Sequence, residues 1–336
     1  MSNVNTTTMA DAIKTMYEKR LLTRALPRLV HGRWAMNARL NKFGSYELRK
    51  YGSLAAVTAS LTEGTTPAEE SAPTLTLTTI TPAFYGSWMG HTDVLEMEEF
   101  DPIISEVSSI LGEQCGLSAD TIIRNALNAD ATIDYSANQA ARTALDAPAH
   151  NVSYADFIKQ VAYLEGSDAM PVDGSDFICI IHPYSWATLM QDPIFVNLFI
   201  DESESAPNGG ALRTGYMGRV LRCKIYVSSN AQKYINGGVS GTDVYTMLFI
   251  AKESYGIVGI GNITPNLVDG GGDGYSSNTG KSVKPVEIIV KQLGSAGATD
   301  PLNQRATIGW KMALAVNVLN SAWIRTLEHT NAFSDD

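Results

Sequence analysis

The sequence holds only three cysteines, Cys115, Cys179 and Cys223, far apart and with no C-x-x-C pair. That excludes a disulfide framework and a zinc site, and it fits buried thiols in a reducing compartment. Five histidines, His31, His91, His150, His182 and His329, are scattered without an H-E-x-x-H or H-x-E pairing. Each therefore reads as a structural or surface residue rather than a metal ligand. Nowhere do eighteen apolar residues run together, and the start, MSNVNTTTMADAIKTMYEKR, has no apolar h-region. The expectation is a protein that neither spans a membrane nor carries a signal peptide. Positive charge is scarce: 25 Lys and Arg face 35 Asp and Glu, a net charge of −10. A dedicated nucleic-acid binder would need a clustered basic surface instead.

Catalytic motifs are missing too. There is no G-x-S-x-G elbow, and GIVGIGN, Gly256 to Asn262, has its glycines in the wrong order for a dinucleotide fingerprint. The stretch DGGGDGYSSNTGKS, Asp269 to Ser282, ends in the Gly-Lys-Ser of a phosphate-binding loop. Such a loop needs glycine where Tyr275 stands, and Gly274 comes one residue too early. The following SVKPVEIIVKQL contains Pro285 and β-branched residues, so it predicts a strand rather than the helix whose N-terminus would face a phosphate. Asp269 and Asp273 lack the closing bidentate Glu of a calcium loop, and the acidic run Glu96 to Asp101 reads as a helix start. No catalytic residue, cofactor or metal site is expected.

What the chain does have is apolar substance: 44% of 336 residues, enough for two domain-sized units or one elaborate one. Its charge is unevenly spread. Residues 1–50 carry ten Lys and Arg against three Asp and Glu, a net of +7, which leaves −17 for the remainder. A basic arm on an acidic body suits an acidic surface, either a neighbouring copy of the chain or DNA. Within the arm, Met9, Ile13, Met16, Tyr17, Leu21 and Ala25 recur at helical spacing among lysines and arginines, and Pro27 ends the helix.

Ser45 to Gly90 predicts two extended stretches around a Thr/Pro/Glu-rich middle, with eight threonines between Thr62 and Thr81. In TLTLTTIT, Leu75 and Leu77 share one strand face while Thr74, Thr76 and Thr78 share the other. A two-stranded ribbon of this composition cannot make its own core, so it is expected to pack on another molecule. Next comes a long helix predicted over Pro102 to Asn128, with Asp101 as cap and a buried stripe of Ile103, Val107, Ile110, Leu111, Cys115, Ile122 and Ala126.

From about residue 150 the pattern is α/β. Ser153 with Asp156 starts a helix whose apolar face is read as Phe157, Ile158, Val161 and Ala162, closed by Gly166. FICII, Phe177 to Ile181, predicts a strand buried on both faces, and HPYSWATLMQ a second helix. VLRCKIYV, VYTMLFIA, PVEIIVKQL and RATIGWKMALAVNVL predict further strands, although composition alone leaves the last open to a helix.

Four stretches carry a family likeness: MYEKRLLTRALPRLVHGRWAM, LTEGTTP, ILGEQCGLSADTIIRNALN and IIVKQLGSAGATDPLNQRATIGWKMALAVNVLNSAWI. Together they resemble the major capsid proteins of tailed bacteriophages, in the N4-like podovirus branch. The likeness implies an α+β, HK97-like capsid fold with an N-terminal arm over 1–42 and an extended loop over 43–100. A peripheral domain with a long spine helix takes 101–150 and 283–320, an axial domain with a central sheet takes 151–282, and a C-terminal segment takes 321–336. It implies a non-enzymatic subunit that self-assembles as hexamers and pentamers into an icosahedral shell around double-stranded DNA. Expected partners are copies of itself, a separate scaffolding protein, a portal, a decoration protein and, non-specifically, the genome. The place is the virion, after assembly in the bacterial cytoplasm. Expected inter-subunit contacts are Lys14, Tyr17, Arg20 and Arg24 in the arm and Leu75, Leu77, Phe84 and Trp88 in the ribbon. Neither the Lys nor the Asn of the covalent cross-link some relatives form can be matched. The alternative is a cytosolic α/β enzyme or ligand-binding protein with its site at the glycine loop 269–282.

Overall fold

In the computed structural model of the chain, residues 30–40, 44–67, 69–70, 72–98, 103–172, 174–196, 216–260, 286–293, 302 and 304–333 are described. The order opens with β1 (Met36–Leu40), β2 (Tyr46–Tyr51), β3 (Leu75–Ile80) and β4 (Ala83–Thr92), then the short helix α1 (Asp93–Glu98) and the long α2 (Ile103–Asp130). It continues with β5 (Thr132–Tyr135), α3 (Tyr154–Gly166), β6 (Phe177–Ile181), α4 (Pro183–Leu189), β7 (Tyr216–Val220), β8 (Cys223–Val227) and β9 (Lys233–Tyr234). Last come β10 (Val244–Ile250), β11 (Tyr255–Ile260), β12 (Val286–Lys291), β13 (Arg305–Val318) and β14 (Ile324–His329).

The spine helix α2 runs 28 residues, about 42 Å at 1.5 Å per residue. Its buried side is Leu111, Cys115, Ile123 and Leu127, with Val107 and Ile122 packed alongside. Ile110, expected in the stripe, is 54% exposed. It precedes Leu111 by one residue, a turn of about 100° that carries it away from the Leu111 and Cys115 side.

Against this side lies β13, whose Ile308, Trp310, Met312 and Leu314 alternate inward into the same cluster. The Trp310 indole Nε1–H donates to Gln114 Oε1 of the spine at 3.1 Å. β13 is thus a strand, because its apolar residues recur every second position along a surface only a sheet can present. It anchors a five-stranded sheet in which it pairs antiparallel with β11, β12 and β4, while β1 pairs parallel with β11.

A seven-stranded sheet, in order β5-β14-β10-β6-β8-β7 with β9 on β10, carries the rest. Its central strands are buried on both faces, as FICII predicts. Phe177, Cys179 and Ile181 pack with α3 and α4 in one cluster, and Ile178 and Ile180 point into the cluster under the spine. Met247 and Phe249 of β10 divide from Leu248 and Ile250 in the same way.

Helix α3 starts at Ser153, whose Oγ accepts from the Asp156 N–H at 3.3 Å. Its inward arc is Phe157, Gln160, Val161 and Leu164, so Ile158 and Ala162, read as inward, are exposed instead. They follow Phe157 and Val161 by one residue, and that step turns a side chain past the edge of so narrow an arc. VLRCKIYV, read as one strand, is a hairpin. Leu221 and Arg222 take φ of 47° and 60°, the left-handed pair that a two-residue turn between right-twisted strands requires.

Candidate assembly surfaces

β2 and β3 form a separate two-stranded ribbon, antiparallel from Tyr46 opposite Ile80 to Tyr51 opposite Leu75. Only Ile80, at its base, is buried. Leu75 and Leu77 are 48% and 55% exposed, Tyr51 at the end of β2 is exposed too, and so are Leu54, Val57 and Leu61 on the connecting stretch. Residues 52–74 hold Glu63, Glu69 and Glu70 and no lysine or arginine. The ribbon therefore has no core of its own, as its alternation of Leu and Thr predicts, and the stretch that connects its strands is acidic.

Phe84 and Trp88 stand elsewhere. They belong to β4, which pairs with β13 across ten residues, Trp88 opposite Gly309 and Phe84 opposite Ala313. The reason is tertiary: fourteen-residue β13 offers a ladder long enough to capture a ten-residue strand. Both side chains lie on the face turned away from the spine, Phe84 51% and Trp88 70% exposed. They wall a groove with Ile289, Lys291 and Lys311, floored where Gly86 and Gly309 have no side chain. The Lys311 ammonium sits 4.3 Å over the Phe84 ring. Among the described residues, neither Lys291 nor Lys311 pairs with a carboxylate.

A third feature, which the sequence reading missed, lies where the chain enters from its arm. Asp120, fully buried on the spine, accepts from the Val30 and His31 backbone N–H groups at 3.0 and 2.9 Å. Its other oxygen lies 2.8 Å from His31 Nδ1 and accepts from Asn230 Nδ2 at 2.8 Å. Burial pushes the Asp120 carboxyl upward, but the His31 and Asn230 hydrogen bonds and the His31 charge outweigh it and hold it below its ordinary value. An aspartate five residues after Cys115 and three before Ile123, within an apolar stripe, is the signal that would have marked it.

The remaining histidines that the structure connects do structural work: His182 caps α4 by accepting from Tyr184 N–H at 3.2 Å, and His150 Nδ1 accepts from Asp146 N–H at 2.8 Å. Among the described residues no group of three His, Cys, Asp or Glu could hold a metal, and no helix is long and apolar enough to cross a membrane. Lys14, Tyr17, Arg20 and Arg24, and the glycine loop 269–282, lie outside the described residues.

A profile of the family described as phage capsid protein matches residues 76–324, most of the chain. The chain belongs to this phage capsid protein family. Solved capsids share its fold at low identity. That of Ralstonia phage GP4 has 9% identity and a TM-score of 0.64, covering 91% of this chain and 89% of that one. The cyanophage Pam1 capsid has 12% identity and a TM-score of 0.63, covering 93% of each. The cyanophage P-SCSP1u capsid has 14% identity and a TM-score of 0.60, covering 89% and 87%. No curated protein sequence matches the chain. The α+β, HK97-like fold expected from the sequence is the fold observed. A capsid protein is a structural subunit of the virion, which sets aside the reading of an enzyme with its site at the glycine loop.

Proposed function

We propose that this capsid protein is the major shell subunit of a tailed-phage head, assembling as hexamers and pentamers into an icosahedral shell around double-stranded DNA. The observation that carries the reading is the ribbon: a folded extension of the subunit whose leucines remain about half exposed on their own hairpin. Neighbouring copies cover Leu75 and Leu77, and also the Phe84–Trp88 groove, where the acidic stretch 52–74 complements Lys291 and Lys311. Lys14, Tyr17, Arg20 and Arg24 extend the same contacts through the basic arm.

The division into arm 1–42, extended loop 43–100, peripheral domain 101–150 with 283–320, axial domain 151–282 and C-terminal segment 321–336 belongs to this reading. So does the N4-like podovirus branch, on the stretches quoted above. A separate scaffolding protein, a portal and a decoration protein are the partners, the genome is touched non-specifically on the inner surface, and assembly takes place in the bacterial cytoplasm.

The test is co-expression with the scaffolding protein of the same phage, imaged by negative stain. Closed shells or hexamers support the reading. A discrete monomer at concentrations where a capsid protein assembles would overturn it.

A further inference from the structure

Residues 30–35 precede the first strand, yet the chain is held there from three directions. Asp120 of α2 takes the Val30 and His31 N–H groups and faces the His31 ring, as given above. Tyr255 of β11 donates its hydroxyl to the His31 carbonyl. Asn230, on the turn between β8 and β9, binds Asp120 with its amide, and Arg124 donates to the Asn230 carbonyl and Oδ1 at 2.9 and 3.0 Å. Gly32 closes the approach: a Cβ there would meet Ile123 Cδ1 at 3.2 Å. Val30 itself is buried in the cluster under the spine.

A carboxylate is an expensive way to fill this place. Burying it costs several kcal/mol unless hydrogen bonds replace its water, and an apolar residue would continue the stripe at no such cost. Two of its four hydrogen-bond contacts go to backbone N–H groups of residues 30 and 31, groups that would otherwise be buried without an acceptor. The geometry therefore serves the path of the chain more than the stability of the spine.

We propose that Asp120 is a positioning residue for assembly: by fixing residues 30 and 31 on the spine it sets the point from which the arm's contacts with a neighbouring copy begin. This rests on the reading that the arm contacts a neighbouring copy. Asp120→Asn keeps the side chain's size and one acceptor oxygen, but turns an amide toward Asn230 and the His31 ring. Asn230→Ala removes the axial side of the network and leaves the Asp120 bonds to residues 30 and 31 in place.

The experiment measures three quantities on the full-length chain for each variant: melting temperature, the rate of trypsin cleavage after half-buried Arg33, and shell yield with the scaffolding protein. For Asp120→Asn, cleavage after Arg33 should rise at least tenfold and shell yield collapse, with melting lowered by only a few degrees. Asn230→Ala, which weakens the network but keeps the Asp120 bonds to residues 30 and 31, should raise cleavage and lower shell yield clearly less than Asp120→Asn does. If Asp120→Asn does not fold, His31→Ala, which leaves the spine unaltered, is read in the same assays and should accelerate cleavage several-fold. Wild-type cleavage and assembly in the folded Asp120→Asn or His31→Ala chain would overturn the inference. A parallel deletion of residues 1–28 separates the two ideas: a deletion that assembles normally defeats the arm reading itself, whereas a defective deletion beside a normal Asp120→Asn defeats only the role of Asp120.

Discussion

His329 has no exposed surface, and burial holds its imidazole neutral, lowering its pKa to about 4; the hydrogen bond with the Thr330 carbonyl and the Asp156 charge offset this only in part. In the unfolded chain the ring takes its proton near pH 6.5. Between pH 6.5 and 4 the unfolded state therefore binds the extra proton, and stability falls as pH falls through that window. At about 1.4 kcal/mol per pH unit the loss is on the order of 3 kcal/mol. Asp120 adds to it at lower pH, since a carboxyl held below its ordinary value contributes stability that disappears as pH drops through its folded-state pKa. Urea unfolding at pH 7.5 and 4.5 should show the drop, and His329→Gln should shrink it; equal stability at the two values would refute the assignment. Gly309 makes a second residue-scale case. A Cβ at this position would lie 2.9 Å from Trp88 Cβ and 3.0 Å from the Ser87 carbonyl, so β4 must move to admit it. Gly309→Ala should destabilise the subunit by about 1–3 kcal/mol in thermal unfolding. The sequence showed these histidines and glycines but not their roles, because an imidazole's burial or a glycine's clearance is fixed by strands distant in the chain.

At the scale of elements, periodicity was informative where an element's own face decides its burial. The spine, the doubly buried β6 and the capped α3 were all readable in this way. It failed where pairing decides. Leu221 and Arg222 carry no turn chemistry, and only the match between β7 and β8 forces them into left-handed backbone. Likewise Ala83–Thr92 continues the ribbon in sequence but is captured by β13 in space. The ribbon and β4 should consequently respond differently to mutation. Changing Leu75 and Leu77 together to Ser should leave the melting of the isolated subunit within about a degree of wild type. Shell formation should be lost, because each leucine buried against a neighbour is worth roughly 1.5–3 kcal/mol and the contact repeats in every copy. Sedimentation of the assembly reaction beside thermal unfolding decides it. A double mutant that melts several degrees lower yet assembles at full yield would show that the ribbon serves its own subunit.

For the whole molecule, the division of charge into +7 over residues 1–50 and −17 over the rest predicts that assembly weakens with salt. Attraction between exposed charges fades beyond a Debye length of roughly 8 Å at physiological ionic strength. Light scattering of assembly between 50 mM and 500 mM salt should show a falling rate, and removal of residues 1–28 should flatten that dependence; a rate indifferent to salt would refute it. A different consequence follows from β6 and β10, where successive side chains serve opposite clusters. No boundary can be drawn through the interior along which one cluster could melt and leave the other standing, since both would lose the same strands. Amide exchange should report this as a single slow class: Ile178, Ile180, Leu248 and Ile250 should exchange only through global opening. A cavity cut by Phe157→Ala, on the α3 side of the sheet, should then shorten the lifetimes of spine amides around Leu111 and Cys115 as much as those of its own helix.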